Sequence, residues 1–131
     1  MELAHGSIHF EFDHRIFVIR LVGAINRETS QRAQIEHIKA LEKCDLSSPW
    51  GVLVDMTDYL GHTPDAEDGS EEVRTWCLAR NLSCEAYVYG DNAFKKSMIE
   101  RFLSGLETQI PHQFFTTQAD ASDWLHRQLA R

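Results

Sequence analysis

The stretch "VLVDMTDYLGHTPDAEDG" (Val52 to Gly69) opens as an apolar strand and closes as an acidic segment punctuated by Pro64 and two glycines. With Trp50 and Gly51 in front of it, "WGVLVDM" is apolar without alternation, the pattern of a strand covered on both faces. The acidic part carries Asp55, Asp58, Asp65, Glu67 and Asp68 together with Thr57, His62 and Thr63. It is expected to be a long loop running from the strand to a helix that begins near Asp65 or near Ser70. That helix carries Val73, Trp76, Cys77 and Arg80 and ends around Asn81.

Working outward, "SIHFEFD" alternates, with Ile8, Phe10 and Phe12 on one face and His9 and Glu11 on the other. This is a half-buried strand, and "RIFVIRLVG" after a short "DHR" turn is apolar on both faces, so the two form an antiparallel hairpin. Asn26 is a good N-cap and Glu28 suits the first turn of the helix that follows. Its stripe is Ile35, Ile38 and Leu41, flanked by Ala33 and Cys44, with His37 beside it and expected to be exposed. "CEAYVYGD" is a third inner strand, and Gly90-Asp91-Asn92 is a turn and cap. The next helix places Phe94, Met98, Phe102 and Leu106 at spacing four, joined by Ile99 and Leu103. "HQFFTT" is a short last strand. Thr117 caps the final helix, whose stripe is Ala121, Trp124, Leu125 and Leu129. The order ββαβαβαβα implies an α/β fold with a mostly parallel sheet, right-handed crossovers and one antiparallel N-terminal strand.

The bulk numbers narrow the function. At 131 residues the chain reads as one domain spanning 1–131, large enough to bury a core without staples. The net charge of -7 disfavours nucleic acid and anionic membranes, which need clustered Lys and Arg. No apolar run reaches the roughly 18 residues of a membrane span, and "MELAHGSIHF" lacks the regions of a signal peptide. Three cysteines, Cys44, Cys77 and Cys84, have no CxxC spacing; free thiols fit a reducing cytoplasm, and burial suits Cys77 and Cys84 better than nucleophilic work.

Three short motifs carry a resemblance: "VLVDMTDYLG" (Val52 to Gly61), "VYGD" (Val88 to Asp91) and "QFFTTQADASDWL" (Gln113 to Leu125). With the element order, they resemble the STAS fold of bacterial anti-sigma-factor antagonists, the SpoIIAA-like family. The branch they resemble most is one of small, mostly uncharacterised bacterial proteins of STAS/SEC14-domain type. The resemblance covers nearly the whole chain and implies a non-catalytic regulatory or interaction module that binds a protein partner or a small anionic or apolar ligand. In the antagonists the strand ends in Asp-Ser-Ser-Gly and a kinase phosphorylates the second Ser. Asp55 and Thr57 match the Asp and the phosphoacceptor, whereas Asp58 stands where Gly would be. Carboxylates at Asp55 and Asp58 would repel an added phosphate.

The candidate switch or ligand loop is therefore Asp55, Thr57, Asp58 and His62. Asp55 with His62 is the nearest acid–base pair, and an enzyme using the Asp55–Asp68 segment is the minor alternative. A Ca²⁺ or Mg²⁺ site is not expected, because "DAEDG" puts Gly69 where a ligand belongs. Gly90 and Asn92, ahead of a helix, form a possible anion or ligand site. Phe94, Ile99 and Leu103 widen their stripe beyond the needs of one sheet face, which suggests a partner or homodimer surface. The other alternative is a lipid or small-molecule carrier of SEC14-like type. No cofactor is implied. A carrier is expected to contain an apolar cavity, an enzyme a polar cleft, and a docking module an exposed patch.

Overall fold

The computed structural model describes residues 5–104 and 110–130, with side chains left out of the description at 102–104. The elements are β1 (Ser7–Asp13), β2 (Ile16–Ile25), α1 (Arg27–Glu42), β3 (Trp50–His62), a 3-10 turn (Pro64–Glu67), α2 (Ser70–Leu78), β4 (Leu82–Val88), α3 (Ala93–Ser104), β5 (His112–Phe115) and α4 (Gln118–Leu129). One sheet has the order β1-β2-β3-β4-β5. The β1–β2 pair is antiparallel, and β2 to β5 run parallel. This is the mixed α/β architecture expected from the order of elements. The hairpin turn uses His14 and Arg15, both at positive φ (49° and 70°), the backbone a tight two-residue turn demands.

Alternation assigns each side chain to a layer. Ile16, Leu53, Cys84, Ala86 and Val88 face α4, where Ala121 and Leu125 meet them. Phe17, Trp50 and Val52 face the opposite side, against Leu41 of α1 and Val73 and Cys77 of α2. Further along that second side, Met56, Tyr59 and Tyr87 meet Ala66 of the 3-10 turn and Ile99 of α3. Gly51 lets α4 come close: a Cβ there would lie 2.9 Å from Cys84 Sγ and 3.1 Å from Leu125 Cδ2.

Several local expectations need correction. β3 does not stop after Met56. Thr57 to His62 continue the strand, pairing with Val22 to Ile25 across two register irregularities. Backbone pairing with β2 outweighs the poor strand propensity of Asp58 and Gly61. Only Thr63 to Gly69 lies outside strand and helix proper, and it contains the 3-10 turn. α2 begins at Ser70, one of the two expected starts, and its N-cap is Gly69, in the left-handed region at φ 87°. Asn26 and Thr117 are N-caps as expected, accepting from the Thr29 and Asp120 backbone N–H groups. Ile35, expected on the α1 stripe, is 59% exposed; Thr29, Ala33 and Leu41 are the buried positions of that helix.

Candidate functional site

Three helices and a turn cover the second face of the sheet without filling the space beneath them. Between them lies a cavity of about 460 Å³. Its floor is the sheet: Ile8 and Phe10 of β1, Ile19 and Leu21 of β2, Val52, Val54 and Met56 of β3, Glu85 and Tyr87 of β4. Its cover is Ala33 and His37 of α1, Ala66 of the 3-10 turn, Val73, Arg74 and Cys77 of α2, and Met98 and Ile99 of α3. The volume is within the range of about 300–1,000 Å³ usual for small-molecule sites, and the wall is mostly apolar.

The cover is tied down by polar contacts with α1 and with the ends of β2 and β3. Ser30 Oγ donates to Ala66 O (2.5 Å) and Gln34 Nε2 donates to Asp68 O (2.7 Å). Thr63 N–H donates to Ile25 O (3.0 Å). His62 Nε2 bonds Glu67 Oε1 at 2.7 Å, while its Nδ1 bonds the Tyr59 hydroxyl. This Tyr59–His62–Glu67 chain joins the end of β3 to the turn. Burial, assisted by Glu67, raises the Tyr59 pKa to about 12, so its hydroxyl keeps its proton.

Two buried polar features stand deep in the mostly apolar wall, away from the polar side chains of its rim. Glu85 of β4 is paired with Arg74 of α2: Nη1 donates to Oε2 at 2.5 Å, and Nη2 lies 2.5 Å from Oε1. The second contact misses hydrogen-bond geometry, and Arg74 Nε has no hydrogen-bond partner. Tyr87 Oη donates to Glu85 Oε2 at 3.0 Å. Burial works against the Arg74 charge, and Glu85 more than offsets it, so the guanidinium pKa is raised.

The second group is His37, which the sequence suggested was exposed. It stacks on Phe17 (centroids 4.8 Å apart) and faces Cys77 Sγ at 3.9 Å. Burial lowers its pKa from 6.5 to about 4. A folded pKa below the unfolded one means that the unfolded chain takes up the proton first as pH falls. This contribution is present in full above pH 6.5 and is lost as pH falls towards about 4. The loss amounts to about 3 kcal/mol by pH 4. Urea midpoints compared at neutral and acid pH should show it in the native protein. His37→Phe should remove that component, and an unchanged acid dependence would refute the assignment.

Of the residues singled out in the sequence, Asp55, Thr57 and Gly90 lie together, and His62 lies apart from them. Asp55 Oδ1 accepts from the Thr57 hydroxyl (2.7 Å) and backbone N–H (3.0 Å). Asp58 pairs with Arg20 (2.7 Å), and Lys95 Nζ donates to Thr57 O (2.5 Å). Thr57 is exposed within β3 and sits beside the turn that opens α3: a Cβ on Gly90 would lie 3.5 Å from Thr57 Cγ2. His62 does not meet Asp55; its partners are Tyr59 and Glu67. Asn92 Oδ1 accepts from the Phe94 and Lys95 N–H groups, occupying the donors that an anion beside Gly90 would use. Phe94 is 70% exposed, but Ile99 is 3% exposed and belongs to the cavity wall, a correction to its expected place on a partner surface. It turns inward because α3 lies against Met56, Tyr59 and Tyr87. Leu103, like Phe102 and Leu106, has its side chain outside the described residues. Cys77 and Cys84 are buried, and burial, assisted by Glu85, pushes their thiols to about 12 and about 11, so neither is a thiolate near neutrality. Among the described residues, no group of three or more His, Cys, Asp or Glu is placed to hold a metal, and no helix is long and apolar enough to cross a membrane.

The sequence announced none of the cavity. Its only trace was an excess of apolar positions on α3, together with Glu85 in a strand that otherwise reads as buried.

No protein-family model and no curated protein matches the chain. Among solved structures it is similar to an uncharacterized protein of the DUF3478 family from Shewanella loihica, described as having a SpoIIAA-like fold. The match has 18% identity and a TM-score of 0.63, covering 95% of this chain and 97% of that one. Strand order, the antiparallel first strand and this full-length similarity agree: the chain has a SpoIIAA-like fold.

Proposed function

We propose that this protein is a non-catalytic binding module whose ligand is a small, largely apolar molecule held between the sheet and the α1–α2–α3 layer. The observation that carries the proposal is the cavity of about 460 Å³ with its mostly apolar wall. A well-packed core leaves few voids larger than a water molecule. The space opens at a rim, so its apolar wall meets water, and an apolar ligand that covers that wall would stabilise the folded protein. All five strands, from Ser7 to Phe115, belong to one sheet, which supports a single domain built around one site. The three free thiols support a reducing, cytoplasmic setting.

A protein-docking role has less behind it, since of the three side chains considered for it Phe94 is exposed and Ile99 is buried. A catalytic role would have to use the Tyr59–His62–Glu67 chain, whose three members already hold the cover in place.

The test is titration with the uncharged apolar dye phenylnaphthylamine, together with native mass spectrometry of freshly purified protein. Saturable fluorescence enhancement is expected. Val54→Trp, which places an indole over the floor, should weaken dye binding at least about tenfold, or about 1.4 kcal/mol, without lowering the melting temperature. Absence of dye binding to the native protein, or indifference to Val54→Trp, would overturn the proposal.

A further inference from the structure

We infer that the cavity selects an amphiphile whose head is a hydrogen-bond donor without negative charge, a hydroxyl or an ammonium group, and turns away carboxylates and phosphates of the same chain length. This rests on the cavity being the ligand site proposed above.

The charges along the wall carry the inference. Three carboxylates line the cavity, Glu67, Glu71 and Glu85, against one guanidinium, Arg74. Arg74 is ion-paired with Glu85, donating from Nη1 to Oε2 at 2.5 Å with Nη2 2.5 Å from Oε1, so its charge is already balanced although its Nε and Nη2 make no hydrogen bond. His37 is neutral at pH 7 because burial lowers its pKa to about 4. His62, which also lines the cavity, is paired with Glu67 at 2.7 Å, so an entering anion finds no cationic group on the wall without a carboxylate already beside it.

The rim offers acceptors instead. Glu67 and Glu71 are exposed there, and among the described residues no cation pairs with the Glu71 carboxylate. The rim's neutral donors are already used: Gln34 Nε2 on Asp68 O (2.7 Å) and Ser70 Oγ on Glu67 O (2.8 Å). The N-terminus of α2 opens at the same rim and would by itself attract an anion, but Glu71 and Glu72 stand in its first turn and compensate it. A like charge brought to such a site costs far more than a neutral head. Size follows from volume. An apolar cavity of about 150 Å³ holds one benzene, so this one suits a chain of roughly ten to fifteen carbons.

The experiment is competition against phenylnaphthylamine by decanol, decylamine and decanoate, at about pH 8, where the decanoate carboxyl is ionised. Decanol and decylamine are expected to displace the dye at concentrations at least about tenfold below decanoate, and the tighter of the two names the head. The double substitution Glu67→Gln and Glu71→Gln keeps the shape and the His62 contact and should bring decanoate within about threefold of decanol. Decanoate competing as well as decanol against the native protein overturns the inference while leaving the cavity as a ligand site. A gap that the double substitution leaves untouched also overturns it, because the acidic rim would not be its cause. A dye that never enters removes the ligand site, and the inference with it.

Discussion

Arg74→Met should destabilise the protein by about 3–5 kcal/mol, seen as a lower urea midpoint with an unchanged slope. The side chains of Arg74 and Glu85 are 14% and 5% exposed. Glu85 is on β4, which is paired on both sides by β3 and β5, so its backbone is held and its carboxylate stays under α2. Removing the guanidinium leaves that carboxylate with the Tyr87 hydroxyl alone. The cost is that of an unpaired buried charge, not the net worth of the pair. The pair itself is imperfect, with Arg74 Nε unbonded and one of the two contacts off angle. Arg74→Met combined with Glu85→Leu should therefore recover most of the loss, ending near native stability or up to about 1–4 kcal/mol above it. The two substitutions must couple strongly in a double-mutant cycle. A single-variant loss below about 1 kcal/mol would mean that water reaches the pair, and its description as a buried ion pair would fail.

Leu125→Ala should cost about 3–4 kcal/mol. Leu125 is 0% exposed and inserts where Gly51 and Cys84 leave room for α4, on the face of the sheet opposite the cavity. The neighbouring Ala121 is also 0% exposed and cannot extend into the gap. The melting temperature should fall by roughly 10–15 °C for a domain of this size. Dye binding by the folded variant should be unchanged, because the two faces of the sheet are separate cores. A loss below about 1 kcal/mol would show that α4 is not docked through this side chain.

The architecture was legible because it follows from periodicity. "SIHFEFD" alternates and "WGVLVDM" does not, and that contrast identified one half-covered strand and one covered strand. Asn26 and Thr117 were legible as caps because a capping side chain acts on backbone two or three residues away. Gly69 was less so, since its role needs the left-handed backbone of the 68–69 turn. The second half of β3 was hidden for a different reason: Thr57 to His62 are strand because β2 offers them partners, and partners on another strand are not written in a strand's own composition.

The candidate site was barely legible. His62 was picked out, but for a partner it does not have: Tyr59 and Glu67 reach it because β3 continues past Thr57 to His62 and the 3-10 turn folds back. Ile99 was read as surface because a stripe wider than one contact looks the same whether it faces a partner or a cavity. His37 was read as exposed because it lies beside the Ile35–Ile38–Leu41 stripe, whereas in the fold Ile35 is the exposed one and Phe17 and Cys77 reach His37 from other elements.

The sequence alone therefore determined the order of elements, the mixed sheet and which strands are buried, since these depend on side-chain pattern within a few residues. Only the tertiary structure decided that α1, α2 and α3 stand over the sheet without filling the space beneath, and that Arg74 meets Glu85 within its wall. A cavity is a relation among surfaces from distant parts of the chain, and no local run of residues encodes the distance between them.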